Sequence, residues 1–196
     1  MPKFNRNGQA AILSKKDFLK IRRALKKKSH RLMLDIAIYT GERWGAICQL
    51  QVEDVYKNPK KSTPHKYITF RSKTRKASPD GRKITRQVPI HEDLITILKA
   101  YKPPIQEWLF PGNNGNHFSL RGADNFLRKA VIEARLESKG ISTHSTRRSF
   151  ITSLNKKGIS LPVIKQITGH QDTKTLTKYI EVSPKQIKRA INSIMN

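Results

Sequence analysis

Acidic residues and sulfur are both scarce in this sequence. Only 14 of 196 residues are Asp or Glu, against 40 Lys or Arg, which leaves a formal net charge of +26. The single cysteine, Cys48, excludes an internal disulfide and a multi-thiolate metal site, and it reads as a small buried apolar residue of a protein kept in a reducing compartment. No apolar run approaches the roughly 20 residues needed to cross a bilayer. The first residues, MPKFNRNGQA, lack the apolar segment of a secretory signal. A soluble cytoplasmic protein without a membrane partner is therefore expected. Low-complexity tracts, internal repeats and a dividing linker are also missing, so one domain is expected after a flexible lead-in over residues 1–12.

What is present is enough apolar content, 36%, to bury a core at this length. The basic excess is carried by both halves: 24 basic residues against 8 acidic in 1–100, and 16 against 6 in 101–196. This is not a neutral domain with a charged tail. So large a charge repels itself unless a polyanion offsets it, and nucleic-acid phosphates are the commonest partner. A merely solvated basic surface is the blander alternative.

Ser14 is placed to cap a helix bearing Phe18, Ile21 and Leu25 on one face, with Lys and Arg dense from 15 to 31. RLMLDIAIY (31–39) reads as a buried helix stopped at Thr40-Gly41, and a further helix begins near 43 and runs to 50. KYITFR (66–71) and ITRQVPI (84–90) read as a β-hairpin, since both are rich in β-branched and aromatic residues and Pro79-Asp80-Gly81 lies between them. Helices are expected near 91–101, 119–137, 145–157, 160–168, 173–180 and 184–195. The fold class is thus mainly α with a small antiparallel β-sheet (α+β).

Familiar catalytic motifs are few. There is no Gly-rich phosphate loop, zinc-binding His pair or Gly-x-Ser-x-Gly turn. The six histidines, at 30, 65, 91, 117, 144 and 170, are scattered, and neither a metal nor a cofactor is expected. What remains is a set of phosphate-suited residues at element ends. Arg43 follows Thr40-Gly41-Glu42 at a helix start. His144 and Arg147 are three apart and share a helical face. Gly169-His170 closes a helix, Tyr179 stands nine residues later, and Lys73 lies where the first hairpin strand enters its loop. Singly, each has a duller explanation as a solubility, capping or packing residue.

Jointly, their order and spacing resemble the tyrosine recombinase (phage integrase) family over about residues 12–195. Arg43 matches the first catalytic arginine of a Thr-Gly-x-Arg turn, Lys73 the hairpin lysine, and His144 and Arg147 a His-x-x-Arg pair. His170 matches the histidine before the nucleophile, and Tyr179 the nucleophile itself. The 23 residues from Arg147 to His170 and the nine from there to Tyr179 agree with the family pattern.

The resemblance implies site-specific cleavage and rejoining of double-stranded DNA through a 3′-phosphotyrosyl link, without metal or ATP. Charge gathering on the non-bridging phosphate oxygens suits a pair of guanidinium forks, here Arg43 and Arg147. In this scheme His144 takes the phenol proton, His170 donates to phosphate and Lys73 protonates the leaving 5′ oxygen. Lys26, Lys27, Arg71, Arg75, Lys76, Arg82, Lys83 and Arg148, with most of the other basic residues dense at 15–31 and in the hairpin stretch 57–86, are expected to grip the flanking backbone.

Two departures from the pattern stand out. Ala46 occupies the position three after Arg43 where many relatives carry an acid, so either another acid such as Glu42 or Asp54 is expected to support Arg43, or catalysis is weaker. There is also no room before residue 12 for an N-terminal core-binding domain, so the chain looks like a catalytic domain alone, similar to the short recombinases of fimbrial switches. Ile187, Ala190, Ile191 and Ile194 make an apolar face near the C-terminus, for packing on its own core or on a neighbouring protomer. The implied assembly is a monomer or weak dimer in isolation and a tetramer on paired DNA sites, with accessory DNA-bending proteins. The rivals are a DNA-binding regulator with weak or no strand exchange, an RNA-associated basic protein and, given the shared chemistry, a type IB topoisomerase, for which the chain is short.

Overall fold

The computed structural model describes residues 9–74, 84–113, 115–170, 176–177, 187–188 and 191–192. Seven helices and two two-stranded antiparallel sheets are formed among them. The first helix, α1, spans Lys15–Ala24. Ser14 begins it through a reciprocal cap: its Oγ accepts from the Asp17 N–H at 3.1 Å, and the Asp17 carboxylate accepts from the Ser14 N–H. α2 spans Lys28–Thr40. The basic stretch from 15 to 31 is therefore two helices. The chain turns between them at Leu25, whose carbonyl accepts from Arg31 Nε at 2.6 Å. Gly41 ends α2 with φ +61°, a left-handed conformation that glycine adopts without Cβ strain.

A short helix, α3 (Trp44–Cys48), follows. β1 (Tyr56–Asn58) then pairs with β2 (Thr63–Pro64), a small sheet that the residue pattern did not predict. The predicted hairpin is present as β3 (Tyr67–Phe70) and β4 (Arg86–Pro89), in register Tyr67 to Pro89 through Phe70 to Arg86. The rest is helical: α4 (Glu92–Ala100), α5 (Leu120–Glu133), α6 (Thr143–Lys156) and α7 (Leu161–Thr168). α5 stops four residues short of the expected 137, because the chain takes a left-handed turn at Arg135 (φ +56°) before a 3-10 turn over Glu137–Lys139. The helices expected at 173–180 and 184–195 fall largely outside the described residues.

The main core joins α1 to α5 with the β3–β4 sheet. Leu34, Ile36, Ile47, Ile68, Phe70 and Leu94 are sealed from solvent within it. Each such side chain contributes about 1.5–3 kcal/mol when fully buried. A second cluster, built on Ile151, Ile164 and Leu176, packs α7 onto α6. Ala10 and Leu13 are held against α6. Arg148 donates to the Ala10 carbonyl at 2.7 Å, and the Leu13 N–H donates to Ser149 Oγ at 2.7 Å. None of the described helices is long and apolar enough to cross a membrane.

Candidate active site

Arg43, His144 and Arg147 come from segments a hundred residues apart and line one cavity of about 230 Å³, together with Glu42, Trp44, Gly45, Ala46, Thr74, Leu120 and Thr143. Each is placed by a helix end. Arg43 stands immediately before α3, with its side chain exposed at the rim. His144 lies in the first turn of α6, and Arg147 one turn later on the same face. The two helices are tied by Trp44, whose indole N–H donates to Thr146 Oγ1 at 3.1 Å. That bond fixes the residue after Arg43 to the residue before Arg147.

Arg147 is only 4% exposed and is anchored on two carbonyls. Its Nη1 donates to Gly41 O at 2.8 Å and its Nη2 to Thr168 O at 3.0 Å. His170, 6% exposed, sits against the same Nη2, with its ring Nε2 at 3.2 Å. Thr168 Oγ1 donates to the Ile164 carbonyl at 2.6 Å and lies 2.6 Å from His170 Nδ1, and the Nδ1 of that ring is 3.4 Å from the same Arg147 Nη2.

Lys73 is exposed on the 3-10 turn Ser72–Thr74 where β3 leaves the sheet, and its neighbour Thr74 lines the cavity. Tyr179 lies outside the described residues, as do Arg75, Lys76, Arg82 and Lys83. Lys26 and Lys27 are exposed between α1 and α2, with Lys26 2.8 Å from Glu133.

Three expectations need correction. Arg148, expected to face DNA, is 6% exposed and points inward to the Ala10 carbonyl. Arg71, also expected to grip DNA, is half-buried and ion-paired with Glu53 and with Asp54 at 2.7 Å. Asp54 is thereby occupied and does not support Arg43.

Glu42 does reach that neighbourhood. It is 1% exposed, accepts from the Arg43 N–H at 2.8 Å, and lies 3.2 Å from Arg86 Nε and 3.9 Å from Arg147 Nη1. Arg86 was counted with the basic hairpin, yet it is 7% exposed. The sequence signal was its phase, since Arg86 and Val88 share the inward face of β4 while Gln87 and Pro89 face out. Cys48, on α3, is sealed from solvent, and burial pushes its thiol up to about 12, so it is not a nucleophile near neutrality. Among the described residues no three His, Cys, Asp or Glu side chains gather as a metal would require.

Residues 12–186 match the model of the phage integrase family. The tyrosine recombinase XerD of Staphylococcus saprophyticus is 26% identical over 171 residues, covering 83% of this chain and 53% of that protein, so the chain spans about half the length of this relative. Among solved structures, XerA recombinase superposes with a TM-score of 0.72 at 21% identity, over 96% of this chain and 67% of that one. The catalytic domain of bacteriophage HP1 integrase gives 0.62 at 23% identity, over 95% and 96% respectively. The fold is thus that of a recombinase catalytic domain, and with the family model matched over most of its length, the chain belongs to the phage integrase family of tyrosine recombinases.

Proposed function

We propose that this chain cleaves and rejoins double-stranded DNA at specific sites, with Tyr179 as the nucleophile. The observation that carries the reading is the convergence of Arg43, His144 and Arg147 on one small cavity, with His170 braced against Arg147. A phosphodiester undergoing displacement gathers charge on its non-bridging oxygens, and two guanidinium groups, one at a helix start and one a turn into another helix, suit it. An ordinary phenol, with a pKa of about 10, needs its proton accepted to attack at neutral pH. His144 is the base proposed for this.

In the step itself the Tyr179 oxygen bonds to phosphorus, the bond to the 5′ oxygen breaks, and that oxygen leaves with a proton from Lys73. The new bond is a 3′-phosphotyrosyl ester. Attack by a 5′ hydroxyl reverses the step and frees the tyrosine, so one phosphodiester is exchanged for another without an external energy source. Exchange between two duplexes cuts four strands, each requiring one tyrosine, so a tetramer on paired sites is the assembly this chemistry calls for. The net charge of +26 supports a grip on the flanking backbone, including Lys26 and Lys27.

The test is a nicked substrate carrying the chain's own binding site, selected from genomic fragments by affinity. The protein should give an SDS-resistant DNA adduct that Tyr179→Phe cannot form. Selective binding to that site without any adduct from the unmodified protein would replace this reading with a DNA-binding regulator.

A further inference from the structure

The turn that delivers Arg43 is held from beneath by a group of buried charges. Residues 40–42 present three acceptors in succession. The Thr40 carbonyl accepts from Arg86 Nη2 at 3.2 Å, the Gly41 carbonyl from Arg147 Nη1 at 2.8 Å, and the Glu42 carboxylate lies between the two arginines. The carboxylate is nearer Arg86, at 3.2 Å, than Arg147, at 3.9 Å. Oε2 is the oxygen facing Arg86, while Oε1, the one nearer Arg147, takes the Arg43 N–H at 2.8 Å. On their far sides the two guanidinium groups end on neighbouring carbonyls of α7, Arg86 on Ile167 and Arg147 on Thr168.

We propose that Glu42 and Arg86 are a positioning pair for strand cleavage, setting the backbone of Arg43 and the guanidinium plane of Arg147 relative to one phosphate. The proposal rests on the reading of the chain as a DNA-cleaving domain and adds to it two residues buried beneath the Arg43 turn. The physical argument concerns orientation. A carboxylate 1% exposed and a guanidinium 7% exposed interact in a poorly screened interior, so their geometry is stiffly held. Arg43 itself is an exposed side chain, and its direction is set by a backbone N–H fixed to Glu42. Arg86 also lies 5.7 Å from the centre of the Phe70 ring, which seats it on the sheet and limits its rotation. The Glu42–Arg86 pair thereby joins the β3–β4 sheet to the start of α3, and Arg147 joins the same turn to α7.

Misplacement of reacting groups by about 1 Å costs on the order of a hundredfold in rate. Glu42→Gln keeps the side-chain shape and removes the charge. Its single-turnover cleavage rate should fall about tenfold to a hundredfold, while the Kd for the same DNA stays within threefold of the parent. Glu42→Asp should recover part of the rate, and Arg86→Lys, which keeps charge but loses the fork, should resemble Glu42→Gln. A structural reading takes no cleavage at all: slowed rotation of the Arg147 guanidinium, seen by nitrogen-15 NMR of the full chain, should be lost in Glu42→Gln. A parental cleavage rate in Glu42→Gln or an unchanged Arg147 signal would overturn the proposal. Absence of an adduct from the unmodified protein would count against the cleavage reading, and the NMR measurement would still decide whether the pair positions Arg147.

Discussion

Replacing Gly41 by alanine should destabilise the protein by about 2–5 kcal/mol, through two separable effects. The first is conformational. Gly41 has φ +61°, where a residue with a Cβ is disfavoured by about 1–2 kcal/mol. The second is steric. A Cβ at this position would stand 2.3 Å from Phe150 Cδ1 and 2.7 Å from its Cγ, well inside contact distance, and forced repacking costs about 1–3 kcal/mol. Urea titration followed by fluorescence would measure the sum. With a slope of roughly 1–3 kcal/mol per molar, the midpoint should drop by about 1–2 M. Combining Gly41→Ala with Phe150→Leu should remove most of the steric part and leave the conformational part, giving a favourable coupling of about 1–3 kcal/mol in the double-mutant cycle. The two contributions also differ in consequence. The Gly41 carbonyl accepts from Arg147, so the single variant should lose cleavage as well as stability. A Gly41→Ala protein within 1 kcal/mol of the parent, or a cycle without coupling, would refute the reasoning.

Asp17 is held below the ordinary carboxyl value of 3.8: burial alone would raise it, but hydrogen bonds from Lys139 and Ser14 outweigh that. A folded value below the unfolded one means stability that is complete above about pH 4 and lost as pH falls through the folded value. Asp17→Asn should therefore be less stable by about 1 kcal/mol at pH 7, and the gap should narrow as pH falls below the ordinary carboxyl value of 3.8, as read by urea titrations across that range. Cys48 should resist iodoacetamide at pH 8 in the folded protein and react fully in denaturant; labelling of the folded chain at the rate of a free thiol would contradict its burial. Arg148→Gln should cost about 1–3 kcal/mol through the Ala10 carbonyl left without its donor, with an unchanged salt slope of DNA binding. Lys27→Gln should leave stability alone and reduce that slope by about 1.

The features legible in the sequence were those whose residue types report directly on backbone geometry. β3 and β4 were visible because their segments are rich in β-branched and aromatic residues, and the end of α2 because Thr40-Gly41 interrupts an apolar helix. β1 and β2 were hidden. Their segment is charged and turn-rich, and the strands exist through backbone pairing, including the His65 N–H to Val55 O bond at 2.9 Å, rather than through side-chain pattern. Arg86 and Arg148 were misread for one shared reason. In a chain this basic, residue type points to the surface, whereas both positions sit on the inward phase of their element, with Val88 on β4 and with Ser145, Ser149 and Thr152 on α6. Of the site, Arg43, His144 and Arg147 line one cavity. The bracing of Arg147 by Thr168, His170 and the Thr40–Glu42 turn required coordinates, because it runs through main-chain carbonyls that every residue possesses.

The anchoring of residues 10–13 has a mechanical implication. Ala10 and Leu13 are fastened to Arg148 and Ser149, the next two residues along α6 from Arg147. A pull or torque applied to the chain ahead of Ala10 is therefore delivered to the helix that carries Arg147, not dissipated in a slack tether. Any tag or fusion joined there has a lever on the cavity that Arg147 lines, and the stiffness of the junction becomes a variable of its geometry.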